Sequence, residues 1–159
     1  MTKTSRRMIW VALVAVAIVI GMVLTRNSML DSAAAALKSG DGSSAERKLK
    51  FLASLGDRTA QDIVGYGYAY GWPGFAKDDE EAMRWFSRGG IFGSRGPETT
   101  ENHGAAAALS IAKTYKTGGD GVTADQGESE KWMHLAAEAG SKEAVTMLGA
   151  APSAPALRQ

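Results

Sequence analysis

Cysteine is absent from the 159-residue chain. That excludes disulfides, thiolate-held metal, a cysteine nucleophile and a lipid anchor on cysteine. Histidine is nearly absent: His103 and His134 are the only two. Neither has a partner at the H-x-x-x-H or E-x-x-H spacing that sets two ligands on one helix face. His103 precedes a helix start, and His134 points away from the apolar stripe of Trp132, so both read as surface residues. A strong charge of one sign is also lacking, since the net charge is +1. The part beyond Arg26 carries 14 basic and 17 acidic residues, a balance of −3. No positive stripe for phosphates is available there, which argues against nucleic-acid binding. Gly65, Gly67, Gly71 and Gly74 form no Walker pattern. The acidic run Asp78–Glu81 has no EF-hand spacing after it and suits a helix start instead. No set of acids, bases, nucleophiles or ligands composes a catalytic site, so the sequence predicts a non-enzyme with no cofactor and no metal.

One long apolar run is present. Met8–Leu24, MIWVALVAVAIVIGMVL, holds no charged residue. Extended by Thr25, it is just long enough for a bilayer core of about 30 Å. Lys3, Arg6 and Arg7 precede it and only Arg26 follows closely. The positive-inside rule then keeps residues 1–7 in the cytoplasm, makes 8–25 a transmembrane anchor and exports the rest. The alternative is a cleaved signal peptide, with small residues at Ser32–Ala36 as the cleavage site. The apolar run exceeds a signal h-region, and that tract lies well beyond its end, which favours a retained anchor. Residues 26–43 are expected to be a linker with a short helix at Ser32–Ser39.

The remainder repeats itself. With Tyr68 and Tyr115 in register, Gly71, Gly74, Asp78 and Trp85 recur as Gly118, Gly121, Asp125 and Trp132, at offsets of 3, 6, 10 and 17 in both copies. Ala60 recurs as Ala107, and Gly89–Gly90 as Ala136–Ala137. Each copy reads as a helical hairpin. A first helix over about Thr59–Tyr70 carries Ala60, Val64 and Tyr68 on one stripe. Gly71 and Gly74 end it. Asp78 caps a second helix, with Glu81 at capping-box spacing, and Asp125 with Glu128 repeats this.

These motifs closely resemble the Sel1-like repeat, a relative of the tetratricopeptide repeat. The first copy, AQDIVGYGYAYGWPGFAKDDEEAMRWFSRGG, follows the pattern nearly throughout. The second departs from it at Ala112, Ser129 and Met133. The resemblance implies an all-α fold, a short α/α solenoid of helical hairpins preceded by one transmembrane helix. The solenoid spans 44–149, with repeat cores at 60–90 and 107–137, an inserted loop at 91–102 and a capping helix at 141–149; 150–159 is expected to be a disordered tail. Ser44–Leu55 would be the second helix of a degenerate earlier repeat. The copies lie 47 residues apart, against a usual period of about 36, and the excess falls in the loop.

Comparison of the copies separates framework from individual surface. Ile63, Tyr66 and Tyr70 fall on a second stripe beside that of Val64, where the later copy has Ser110, Lys113 and Thr117. Trp72 replaces Gly119. These four residues either meet a partner or pack on the preceding half-repeat or the long loop. The resemblance implies a protein- or peptide-binding adaptor in a bacterial cell envelope, with its domain in the periplasm and its anchor in the inner membrane. Two other readings stay open: an immunity protein against a secreted toxin, and a regulatory subunit of an envelope hydrolase.

Overall fold

The computed structural model describes residues 3–88, 103–119 and 121–150. Among them are seven α-helices: α1 (Lys3–Lys38), α2 (Gly42–Ser54), α3 (Arg58–Tyr70), α4 (Asp79–Phe86), α5 (His103–Thr117), α6 (Gln126–Glu138) and α7 (Lys142–Ala150). Successive helices pack side by side in chain order, so each reverses the direction of the one before. The expected loop at 91–102, the pair Gly89–Gly90 and the tail beyond Ala150 lie outside the described residues.

Two apolar clusters run through the stack. The first joins Ala33 of α1, Leu49, Leu52 and Ala53 of α2, and Ala60 and Val64 of α3, closed by Phe75 and Trp85. The second joins Ala69, Ala82 and Phe86 to Ile111, Tyr115, Trp132, Met133 and Ala144. The aromatic pair of the first repeat is therefore divided: Trp85 packs backward and Phe86 forward. Trp132 is wholly buried. Close approach sets the glycines here. A Cβ on Gly65 would enter the Phe86 ring, and one on Gly42 would enter the backbone of Pro73 and Gly74.

The caps repeat as expected. Asp78 accepts from the Glu81 amide at 2.9 Å, and Asp125 from the Glu128 amide at 3.0 Å. Gly71 and Gly118, at φ 66° and 70°, occupy the left-handed region that ends each first helix. The reciprocal half of the capping box is not made. The Asp78 amide instead donates to the Tyr68 carbonyl at 3.0 Å, and the Asp125 amide to that of Tyr115 at 2.8 Å. With those amides satisfied, Glu81 accepts from the Trp85 indole at 2.9 Å and from Arg84 at 2.8 Å.

Residues 26–43 differ from the expected linker. α1 runs unbroken from Lys3 to Lys38, and a turn of three residues leads into α2. Ala33 and Ala36 are buried, and Met29, Leu30 and Leu37 pack against the first cluster. The small residues of this tract permit close helix packing rather than chain flexibility. Just above them, Arg26 forms a bidentate ion pair with the buried Asp57, and its Nη2 also donates to Thr59 at 3.1 Å. Asp57 in turn accepts from the Ala60 amide at 2.9 Å and caps α3. The apolar part of α1, Trp10–Leu24, touches none of this and is exposed on every face.

Helix reversal gives the stack two edges. One carries the start of α3, the end of α4, the start of α5 and the α6–α7 turn. Its cross-links are Arg58 Nη1 to the Arg88 carbonyl at 2.7 Å and His103 Nε2 to Asp62 at 2.7 Å. α1 leaves the stack at this edge, beside Asp57. The other edge carries the α1–α2, α3–α4 and α5–α6 turns.

Candidate partner-binding surface

The residues singled out by sequence comparison do not share one environment. Tyr66 and Tyr70 are half-buried against the second cluster, whereas Ile63 and Trp72 are half-buried beside the first. The tyrosines pack forward on the following repeat. Tyr66 meets Phe86 edge-on at 5.1 Å and stacks on Tyr70 at 6.1 Å. Burial, reinforced by the Asp62 carboxylate, raises the Tyr66 pKa above its ordinary value, and Ser110 of α5 hydrogen-bonds its side chain. Tyr70 lies 5.6 Å from Tyr115 and 6.1 Å from Trp72. Together these rings form a ladder from the repeat interior to the turn.

The turn geometry places Trp72 at the end of that ladder. Gly71 adopts positive φ, the Trp72 amide donates to the Gly67 carbonyl at 3.0 Å, and the Phe75 amide donates back to the Trp72 carbonyl at 2.8 Å. Opposite stands the α5–α6 turn, pinned by paired backbone bonds between Gly119 and Val122 at 3.0 and 2.9 Å. Between them lies a groove of about 310 Å³, lined by Tyr70, Trp72 and Tyr115, by Val122–Asp125, and by the ion pair of Lys77 with Glu128.

The framework tyrosines carry more than packing. The Tyr115 hydroxyl donates to the Ala69 carbonyl at 3.1 Å, tying α5 to α3. The Lys50 ammonium sits 5.1 Å over the Tyr68 ring and bonds Glu46 at 2.7 Å. The Lys77 ammonium sits 5.2 Å over Tyr115 and pairs with Glu128 at 2.8 Å. Burial works against both lysine charges. The carboxylate and phenol partners outweigh it, so both pKa values are raised. The bond to Asp79 raises that of Lys131, on the neighbouring α6. Sequence comparison placed Glu128 only in the capping pattern and missed Lys77 and their pairing. The only available signal was that Lys77 has Ala124 as its counterpart in the second copy.

No His, Asp, Glu or Cys cluster able to hold a metal occurs among the described residues. His103 bridges α5 to Asp62 of α3, and His134 is exposed.

Residues 59–90 and 105–141 match the family model described as Sel1 repeat. A solved Sel1 repeat protein from Oxalobacter formigenes is 30% identical over 65% of this chain and 68% of its own, with a TM-score of 0.32. The chain belongs to the Sel1 repeat family. A second solved structure, a protective antigen present in uropathogenic Escherichia coli strains that displays an SLR fold, is 22% identical with a TM-score of 0.37. That match covers 79% of this chain, which spans only a quarter (25%) of that protein. No curated protein matches the chain. Sel1 repeat proteins are typically non-catalytic modules for protein–protein interaction, built like this one as helical solenoids.

Proposed function

We propose that this Sel1 repeat protein is a membrane-anchored adaptor, held by residues 8–25, whose repeats lie outside the cytoplasm and bind a protein partner without turnover. The observation that carries the reading is the continuity of α1. Its segment Trp10–Leu24 is apolar and exposed on all faces, as suits lipid, and the part from Arg26 onward is the first packed helix of the stack. Retention follows from the same packing. Cleavage at the small residues of Ser32–Ala36 would remove Arg26, Met29 and Leu30 from their contacts with the repeats. The N-terminal excess of Lys3, Arg6 and Arg7 supports export of the C-terminal part.

Anchored in this way, the stack is a rigid extension of the helix rather than a domain on a tether. The edge carrying Asp57, Arg88 and His103 faces the bilayer, and the groove opens at the edge away from it. Paired reporters fused after Gln159 test the topology. A periplasm-active enzyme should be active and its cytoplasm-active counterpart silent; the reverse removes the export claim. Release of the protein by alkaline carbonate, or a mature N-terminus beyond Ala36, removes the anchor. Crosslinking in intact membranes should recover a partner protein.

A further inference from the structure

The groove differs from the rest of the repeat surface in three respects that together define an occupant. The first is an aromatic platform with no cation over it. The cation-bearing rings of the fold, one of them in the groove itself, are taken by the chain: Lys50 covers Tyr68, Lys77 covers the groove's Tyr115, and the Arg88 guanidinium lies 3.7 Å over Trp85. Among the described residues no cation lies over Trp72, which is half-buried, stacks on Tyr70 and forms a groove wall. The second is charge. Glu128 is paired with Lys77 at 2.8 Å and with Lys131 at 3.8 Å, whereas among the described residues no cation pairs with Asp125, which is left as the groove's free negative charge. Only one oxygen of the exposed Asp125 is engaged, as the cap of α6. The third is size. A volume of about 310 Å³ takes one or two side chains of an extended segment and is too small for a docked helix.

We infer that this groove receives an extended peptide segment carrying an arginine, its guanidinium stacked on Trp72 and its N–H groups turned toward Asp125. Arginine fits better than lysine because a planar guanidinium can lie on an indole and still donate sideways to a carboxylate. The inference deepens the protein-binding reading and rests on it.

The test uses the full chain in phosphatidylcholine nanodiscs and the peptide acetyl-Ala-Gly-Arg-Gly-Ala-amide, with citrulline and glutamate counterparts. Binding is followed by the NMR shift of the peptide's own central side chain, which can be read with every protein variant. The arginine signal should shift saturably, and the citrulline peptide should bind about ten-fold more weakly. Trp72→Ala should weaken binding about ten-fold. Asp125→Asn should weaken it several-fold with the melting temperature unchanged, because asparagine caps a helix as well as aspartate does. Equal binding of the arginine and citrulline peptides overturns the inference, as does undiminished binding to Trp72→Ala. The two proposals fail separately. A partner crosslinked equally well by wild type and Trp72→Ala removes the groove and keeps the adaptor. A wild-type protein that captures none removes the adaptor reading, and the inference falls with it.

Discussion

The Arg26–Asp57 contact decides whether α1 is docked on the repeats or merely precedes them, and its removal has a magnitude that can be worked out. Asp57 is 3% exposed and does two jobs: it caps α3 and neutralises Arg26. Asp57→Ala removes both. Loss of the cap costs about 1 kcal/mol. Loss of a charged hydrogen-bonding partner costs up to about 3 kcal/mol. The Arg26 side chain is 28% exposed and can rehydrate in part, so about 1–2 kcal/mol is expected from this term. The sum is about 2–3 kcal/mol. Asp57→Asn keeps the cap and should cost only the second part. Arg26→Met should cost at least as much as Asp57→Asn. It strands a carboxylate that is 4% exposed at its side chain, and such a group has no route to water.

Urea unfolding of the full chain in detergent, followed by circular dichroism, gives these values. The double variant Arg26→Met/Asp57→Asn closes the cycle. A coupling energy of about 1–2 kcal/mol is expected for residues in direct contact. Coupling below about 0.3 kcal/mol, the level of independent sites, would refute the docking of α1 at this point.

Other outcomes follow from close packing and burial. Gly65→Ala should cost about 1–3 kcal/mol in urea unfolding, since the Phe86 ring must shift, and Gly42→Ala should cost more, because its Cβ meets the Pro73–Gly74 backbone. The raised Tyr66 pKa means that the folded state holds its phenolic proton more tightly than the unfolded state does. Its contribution to stability is therefore full below the ordinary value of 10.0 and is lost as pH rises through the folded value. Urea midpoints between about pH 9 and 11 should fall less steeply in Tyr66→Phe than in wild type. Ser129→Ala should cost under about 1.5 kcal/mol by thermal melting, because the hydroxyl adds one bond, at 2.9 Å, to an Ala112 carbonyl inside α5.

The repeat was legible because its signals are local. Tyr68, Gly71, Gly74 and Asp78 constrain one another within a dozen residues, and the same constraints recur at Tyr115, Gly118, Gly121 and Asp125. α3 was expected from Thr59 and starts at Arg58. Two features were misread because tertiary contacts decide them. The helix expected at Ser32–Ser39 forms, but as the end of α1 and without a linker before it, because Met29 and Leu30 already pack on the cluster that Ala33 joins to α2 and α3. Glu81 has capping-box spacing, but the amide it would bond already donates to Tyr68, a pairing that exists only once α3 and α4 meet. The groove was half legible. Trp72 and Tyr70 stood out as aromatics without counterparts, whereas Lys77 and Glu128 are 51 positions apart and meet only through the fold.

The same reasoning explains why a groove forms at this junction. Its walls are a turn from one repeat and the matching turn of the next, so it needs two successive long turns on the same edge. Eight residues join α3 to α4 and eight join α5 to α6, whereas three join α1 to α2. The short α1–α2 turn lets Gly42 press directly on Pro73 and Gly74, which closes the space a first groove would occupy. The degenerate first hairpin therefore trades a long turn for a tight seat against α1. Among the described residues, both turns are long only between α3–α4 and α5–α6, and there Trp72 stands where the second copy has a glycine, which is why the groove acquires an aromatic wall at that junction.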